Sequence, residues 1–233
     1  MKIALLGYGR MGKSIETIAL KRNHSITLKV IDGSSTYDFS EADVAIDFSI
    51  PTAAVSNIKK AIDAGIPVIS GTTGWLDSYE EVVTYCEYKK GTFLYASNFS
   101  LGVNIFFEVN KKLSQLMASL PDYSLKMKEI HHTNKLDAPS GTAITLAEQI
   151  IEHTHYNKWT LDQEKSNEIY IDAQRIPDVP GTHKITYNSD VDSISIKHTA
   201  HSREGFAMGA VIAAEWIKDK KGIFSMKDVL NIG

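Results

Sequence analysis

Ile3-Ala4-Leu5-Leu6-Gly7-Tyr8-Gly9-Arg10-Met11-Gly12 is the stretch on which the fold turns. The apolar run from Ile3 to Leu6 reads as a short strand covered on both faces. It breaks at glycines spaced Gly7-x-Gly9-x-x-Gly12, and a helical stretch from Lys13 to about Arg22 follows. Such glycine spacing is a weak signal by itself. Set between a strand and a helix, it marks a phosphate-binding turn. Gly7 permits the tight turn, Gly9 leaves room for a pyrophosphate, and Gly12 lets helix and strand pack closely. Tyr8, Arg10 and Met11 complete the loop. The helix start adds free N–H groups and a positive dipole end. The plain alternative is a glycine turn that holds nothing.

Strand-like and helix-like stretches alternate outward from this loop. Thr27 to Ile31 reads as a second strand ending in Asp32, 20 residues after Gly12. An acid there accepts hydrogen bonds from ribose hydroxyls and repels a 2′-phosphate, which favours NADH over NADPH. No arginine follows it; Gly33-Ser34-Ser35 does, and those two hydroxyls with the backbone are an alternative hold for a phosphate. The plain reading of Asp32 is a strand-end acid facing water. Val44 to Phe48 and Pro67 to Ser70 read as strands three and four, and Thr92 to Ala96 as the fifth. Helical spacing of Ala54, Ile58, Ala61 and Ile62, then of Tyr79, Val82, Val83 and Cys86, separates them. The alternation predicts a doubly wound parallel sheet with helices on both faces. Ligands of such sheets bind at the carboxyl ends of the strands. Gly71, Thr72 and Thr73, and Ala96, Ser97, Asn98 and Phe99, lie at such ends and are candidates for the nicotinamide and its ribose. Both tracts also read as ordinary turns.

The pattern changes after Ser100. A long helix is predicted from about Val103 to Leu120, stopped by Pro121. Four strands with polar alternation follow: Ser124 to Ile130, Glu168 to Asp172, His183 to Tyr187 and Ser193 to His198. They predict a second, α+β domain with an open mixed sheet. A final helix, about Phe206 to Lys218, is expected to return to the first domain. The predicted division is 1–101 completed by 207–233, and 102–206. The stretch from Asn157 to Asn167 reads as loop.

The chain has 233 residues, 43% of them hydrophobic, so a core can be buried. A net charge of −3 gives no general attraction to nucleic acid or to an anionic membrane. One cysteine, Cys86, rules out an internal disulfide framework and suits a reducing compartment. The apolar run before Gly7 is too short for a signal peptide or a membrane span, so the cytoplasm is the expected location.

Any anion site must therefore be local, and one segment supplies it. Met127-Lys128-Glu129-Ile130 reads as a strand, followed by His131-His132-Thr133-Asn134-Lys135. Asp137-Ala138-Pro139-Ser140-Gly141-Thr142 then leads into a helix with Ile144, Ala147 and Ile150. Ser140 or a neighbour caps that helix, so its free N–H groups face the loop. Lys126, Lys128, Lys135, His131 and His132 form a cationic patch that suits a dicarboxylate. His131 can donate or accept a proton near neutral pH, with Lys135 four residues on. His131-His132 with Asp137 has no firm ligand spacing and no nearby cysteine, so no metal is predicted. A charged, solvated loop is the bland alternative.

These residues resemble the family of 4-hydroxy-tetrahydrodipicolinate reductases, also called dihydrodipicolinate reductases, over nearly the whole chain. The cofactor loop, Asp47-Phe48-Ser49 with Pro51, Gly71 to Gly74 and Asn98 to Asn104 are similar to its signatures. Glu129-Ile130-His131-His132 with Lys135 to Thr142 is the most specific match. The resemblance implies a Rossmann domain plus a mixed-sheet domain that builds a homotetramer. It implies NADH or NADPH as cofactor, bound by Gly7 to Gly12, Asp32, Gly71 to Thr73 and Ala96 to Phe99. It implies His131 and Lys135 as the catalytic pair, Lys135 donating the proton. His132, Gly141 and Thr142 fall on substrate-carboxylate positions. The implied reaction is reduction of 4-hydroxy-tetrahydrodipicolinate with loss of water, in diaminopimelate and lysine synthesis. Two stretches depart from the family pattern: Arg175 to His183 carries prolines where glycines are usual, and the segment from Asp32 to Asp43 is short. The rival readings are another dehydrogenase of this fold acting on a different imine or carbonyl, and a non-enzymatic nucleotide sensor. No basic stripe or appended module supports the sensor.

Overall fold

The computed structural model describes residues 1–31, 37–163, 165–202 and 204–232. In chain order the elements are β1 (Lys2–Leu6), α1 (Arg10–Lys21), β2 (Ser25–Val30), β3 (Val44–Asp47), α2 (Pro51–Asp63), β4 (Val68–Ser70), α3 (Tyr79–Tyr88), β5 (Thr92–Tyr95) and α4 (Leu101–Met117). They continue with β6 (Ser124–His131), α5 (Gly141–His153), β7 (Lys158–Thr160), β8 (Glu168–Arg175), β9 (Gly181–Asn188), β10 (Ser193–Ala200), α6 (Glu204–Ile217), β11 (Gly222–Phe224) and α7 (Met226–Leu230). The chain forms two compact units, Met1–Leu101 with Glu204–Gly233, and Gly102–Arg203.

The first unit is a Rossmann-type sheet of six strands in the order β11-β5-β4-β3-β1-β2, every pairing parallel. Its strands bury both faces because alternate residues point opposite ways. Ile3 and Leu5 pack with α1 and α6 through Ile15, Ile18, Ala210 and Ala214. Ala4 and Leu6 pack on the other face with α2 and α3 through Ile58, Ile62, Val82 and Cys86. Cys86 is a core filler, and burial pushes its thiol up to about 11. The predicted final helix does return to this sheet, and it brings a sixth strand. β11 has three residues, too few to show a period in sequence.

The second unit is a mixed sheet in the order β10-β9-β6-β8-β7. β9 is antiparallel to both neighbours, while β8 is parallel to β6 and to β7. β7 falls within the stretch read as loop. One face of this sheet carries the core: Leu125, Met127, Ile171, Ile185 and Tyr187 pack with Phe106 of α4 and Leu146, Ala147 and Ile150 of α5. Residues of β6 alternate between exposed Lys126 and buried Met127. Glu129 and His131 continue the buried row, so strand periodicity places an acid and an imidazole on the core face.

Candidate active site

Every described residue proposed for the nucleotide lies at the carboxyl edge of the first unit's sheet, in the loops leaving it, or, for Arg10, Met11 and Gly12, in the first turn of α1. The three glycines of the first loop differ in what surrounds them. A Cβ on Gly7, whose φ is +97°, would sit 2.1 Å from the carbonyl oxygen of Phe48. One on Gly12 would sit 2.4 Å from the Gly7 oxygen. One on Gly9 would meet nothing within 4 Å. Packing explains Gly7 and Gly12; open space in front of Gly9 is what a ligand's approach needs. Gly9 is also the N-cap of α1 and supplies no side-chain cap, so the first-turn N–H groups remain available to an anion. Tyr8 is turned onto Glu16 and Lys29, and Lys29 reaches Glu16 at 2.7 Å. Arg10 and Thr73 are exposed, Met11 packs on the core, and Ser97 is exposed beside buried Phe99. Thr72 differs from its expected role in one respect. Its hydroxyl donates to Asp47 at 2.7 Å and accepts from the Ser49 N–H at 2.8 Å, so it turns away from any ligand. Asp32 lies outside the described residues.

The second unit assembles the chemical segment around Glu129. Its carboxylate has no exposed surface. The Ser140 N–H donates to it at 3.0 Å, and the Ser140 hydroxyl donates to it as well. Arg175 approaches Glu129 Oε1 with both Nη1 and Nη2 at 3.2 Å. The imidazoles of His131 and His183 lie at 3.5 and 3.6 Å from Oε2. Burial pushes the Glu129 carboxyl up, but hydrogen bonds from His183 and Ser140 and the adjacent His131 outweigh it, leaving it at about 2. His131 behaves in the opposite sense. Burial lowers its imidazole, and Glu129 only partly offsets this, so it titrates at about 4 and is neutral at pH 7.

Ser140 also caps α5, accepting from the Ala143 N–H at 3.2 Å, as the sequence predicts. Glu129 thus anchors the cap, and the cap sets Gly141 and Thr142 in the first turn. A Cβ on Gly141 would meet nothing within 4 Å, so this helix start is open. Lys135 Nζ binds both carboxylate oxygens of Asp137 at 2.8 Å, and that ion pair is its principal contact here. Arg175 ties the same loop down through the carbonyls of Lys135, at 3.3 Å, and Asp137, at 2.5 Å. His132 follows β6 directly, and its carbonyl accepts from the Lys135 N–H at 3.1 Å. The prolines between Arg175 and His183 leave the ends of that stretch in working positions: Arg175 and His183 reach Glu129, and Gly181 lies against His131, where a Cβ would be 3.2 Å from Nε2.

Sequence reasoning gave no role to Glu129, Arg175, Gly181 or His183. The available signal was an acid on the apolar row of β6. Among the described residues, Glu129, His131 and His183 are the one group whose ligand atoms lie within 4.8 Å of one another. The same carboxylate already takes Ser140 donors and a guanidinium, which is the donor set of an anion hub and a poor one for a cation.

A parallel sheet with an open glycine loop, together with a one-faced mixed sheet bearing an acid–base loop and an anion-ready helix start, defines a two-domain dinucleotide-dependent oxidoreductase. Family models narrow this: residues 1–99 match dihydrodipicolinate reductase, N-terminus, and residues 102–230 match dihydrodipicolinate reductase, C-terminus. The chain is 56% identical over 234 residues to the 4-hydroxy-tetrahydrodipicolinate reductase of Christiangramia forsetii, covering 99% of this chain and 98% of that one. It is 35% identical to the Methanosarcina acetivorans protein of the same name, covering 99% and 89%. In fold it is similar to a dipicolinate-bound dihydrodipicolinate reductase from Paenisporosarcina sp. TG-14, with a TM-score of 0.76, 21% identity and 97% of each chain covered. The chain belongs to the dihydrodipicolinate reductase family.

Proposed function

We propose that this chain reduces 4-hydroxy-tetrahydrodipicolinate to tetrahydrodipicolinate with NAD(P)H, releasing water, in diaminopimelate and lysine synthesis. The observation that carries the reading is the folding of the Glu129–Thr142 segment, in which one buried carboxylate holds both the α5 cap and the neighbourhood of His131. The first turn of α5, at Gly141 and Thr142, receives a substrate carboxylate, and His132 supplies a further contact to it. Lys135 supplies the proton. A neutral His131 at pH 7 has no acidic proton to give at that pH, so its role is to orient the ring and accept or share a hydrogen bond. Gly7 to Gly12, Asp32, Gly71 to Thr73 and Ala96 to Phe99 hold the nucleotide, which supplies a hydride when bound. Thr72 serves through its backbone.

NADH is the favoured nucleotide. Asp32 follows β2 with no arginine after it, and Lys29 is committed to Glu16 and Tyr8. The active assembly is a homotetramer built on the open face of the mixed sheet, where Lys126, Lys128, Lys184, Tyr170, Asp172 and Thr186 line a groove of about 670 Å³. The enzyme works in the cytoplasm, in keeping with its single buried cysteine and with no helix among the described residues long and apolar enough to cross a membrane. The test is a coupled assay with the condensation product of pyruvate and aspartate semialdehyde, run with each nucleotide in turn. Oxidation of NADH faster than NADPH is expected. No oxidation of either would defeat the reading, and light scattering reports the tetramer.

A further inference from the structure

Asp47 ends β3 with no exposed surface and, among the described residues, no cation paired with it. Four donors converge on its carboxyl group. Ser49 Oγ at 2.7 Å and Asn57 Nδ2 at 3.0 Å reach Oδ1, while Ser70 Oγ at 2.8 Å and Thr72 Oγ1 at 2.7 Å reach Oδ2. Two of the donors are fixed in direction. Asn57 Oδ1 accepts from the Tyr37 hydroxyl at 2.6 Å, which commits the amide nitrogen to Asp47. Thr72, donating to Asp47, is left with lone pairs for the Ser49 N–H at 2.8 Å. Burying an acid among neutral donors is costly compared with an apolar side chain of the same size, so stability alone is a poor reason for it.

Three of its partners, Ser49, Ser70 and Thr72, stand at the carboxyl edge of the sheet, at the mouths of two loops. The backbone around Asp47 ties the same loops together. Its carbonyl accepts from the Gly71 N–H at 2.9 Å. The next residue, Phe48, lies under both glycine turns: a Cβ on Gly7 would strike its carbonyl at 2.1 Å, and one on Gly71 would strike its ring at 2.3 Å. A shift of Asp47-Phe48-Ser49 therefore moves the Gly7–Gly12 loop and the Gly71–Gly74 loop together.

We propose that Asp47 is a positioning residue for nucleotide binding, holding the two glycine loops in mutual register through Ser49, Ser70 and Thr72. It touches no ligand itself. This rests on the reading that those loops bind NAD(P)H. Asp47→Asn keeps the size and one acceptor oxygen but turns an NH2 toward Ser70 and Thr72, reversing the polarity of that half of the network. Ser70→Ala removes a hydroxyl that has no exposed surface, cannot meet a ligand, and donates to Asp47.

The experiment is fluorescence titration of NADH and NADPH into wild type, Asp47→Asn, Ser70→Ala and the double variant, beside steady-state kinetics and thermal melts. We expect a nucleotide Kd weakened about tenfold or more in Asp47→Asn and about threefold in Ser70→Ala, with less than additive loss in the double variant. The KM for the cyclic dicarboxylate should stay unchanged. A merely structural role would lower the melting temperature and leave these constants alone. Wild-type nucleotide affinity in a folded Asp47→Asn overturns the proposal. If Asp47→Asn does not fold, wild-type affinity in folded Ser70→Ala overturns it instead. If wild type itself binds neither nucleotide, the underlying reading falls and this proposal falls with it.

Discussion

Arg175 and Glu129 meet on neighbouring parallel strands, with both terminal guanidinium nitrogens 3.2 Å from one oxygen of a carboxylate that has no exposed surface. In the strand register Arg175 pairs with His131, two residues beyond Glu129, so its side chain reaches back along β6. The same guanidinium accounts for the carbonyls of Lys135, Asp137 and Gln174. One residue therefore neutralises the buried acid and pins the loop that carries the proposed proton donor.

Removing that guanidinium should cost both stability and rate. Arg175→Ala leaves Glu129 with Ser140 as its main donor, and we expect a loss on the order of 2–4 kcal/mol by chemical denaturation. Arg175→Lys should recover part of the stability but little of the turnover. A single ammonium replaces the charge, yet it lacks the planar fork that reaches the Lys135 and Asp137 carbonyls at once. Wild-type kcat in Arg175→Lys would show that the loop needs no such clamp.

The first glycine loop offers a separation between folding and binding. Gly9→Ala meets open space, so its stability should stay within about 0.5 kcal/mol of wild type. Its added methyl should nevertheless raise the KM for the nucleotide about tenfold or more if that space takes the pyrophosphate, as proposed. Gly7→Ala combines a φ of +97° with a carbonyl 2.1 Å away and should lose about 2 kcal/mol or more. Thermal melts and nucleotide titrations on the pair check this. Equal melting losses in the two variants would mean that Gly9 is a packing residue after all.

The parallel unit was legible because its signals are local. The apolar run of β1, the glycine spacing and the alternation of strands with helices all fall within a window of a few turns. Ser140 was legible as a cap for the same reason. Three-residue strands such as β7 and β11 show no period, and their pairing depends on partners far along the chain. The Glu129–Arg175 contact spans 46 residues, and a buried acid looks the same in sequence as one facing water. Thr72 was read as a ligand-facing hydroxyl, since its orientation is decided by Asp47, 25 residues earlier. The residues proposed for the chemistry were visible; those that hold them in place were mostly not.

Stability should depend on pH through His131. Its imidazole titrates at about 4 in the folded chain against 6.5 for an ordinary histidine. The unfolded chain binds this proton first as the pH falls. Stability is therefore complete above about 6.5, declines toward 4, and is lower below it by on the order of 3 kcal/mol at most. Glu129 adds a second loss at lower pH, between its ordinary 4.5 and about 2, because its depressed carboxyl favours the folded state only while ionised. Urea denaturation at stepped pH should show wild type weakening between pH 6.5 and 5, and His131→Asn weakening less, with the remainder left to His198, whose imidazole burial also lowers. An equal slope in both proteins would assign the effect to other groups.

Lys135 and Asp137 form an ion pair whose two members should differ sharply in importance. Lys135→Ala removes the proposed acid and should lower kcat by about 10²–10⁴-fold, with nucleotide affinity little changed. Asp137 is 60% exposed in its side chain, and Lys135 with its hydrogen bonds holds its carboxyl below the usual range. A pair so exposed contributes little to folding, so Asp137→Ala should stay within about 1 kcal/mol of wild type. It should also keep more turnover than Lys135→Ala, because it frees the lysine without removing its proton. Rapid-quench and steady-state kinetics on the two variants distinguish donor from partner. Turnover within about twofold of wild type in Lys135→Ala would remove it from the proton-donor role and leave that proton to another group or to water.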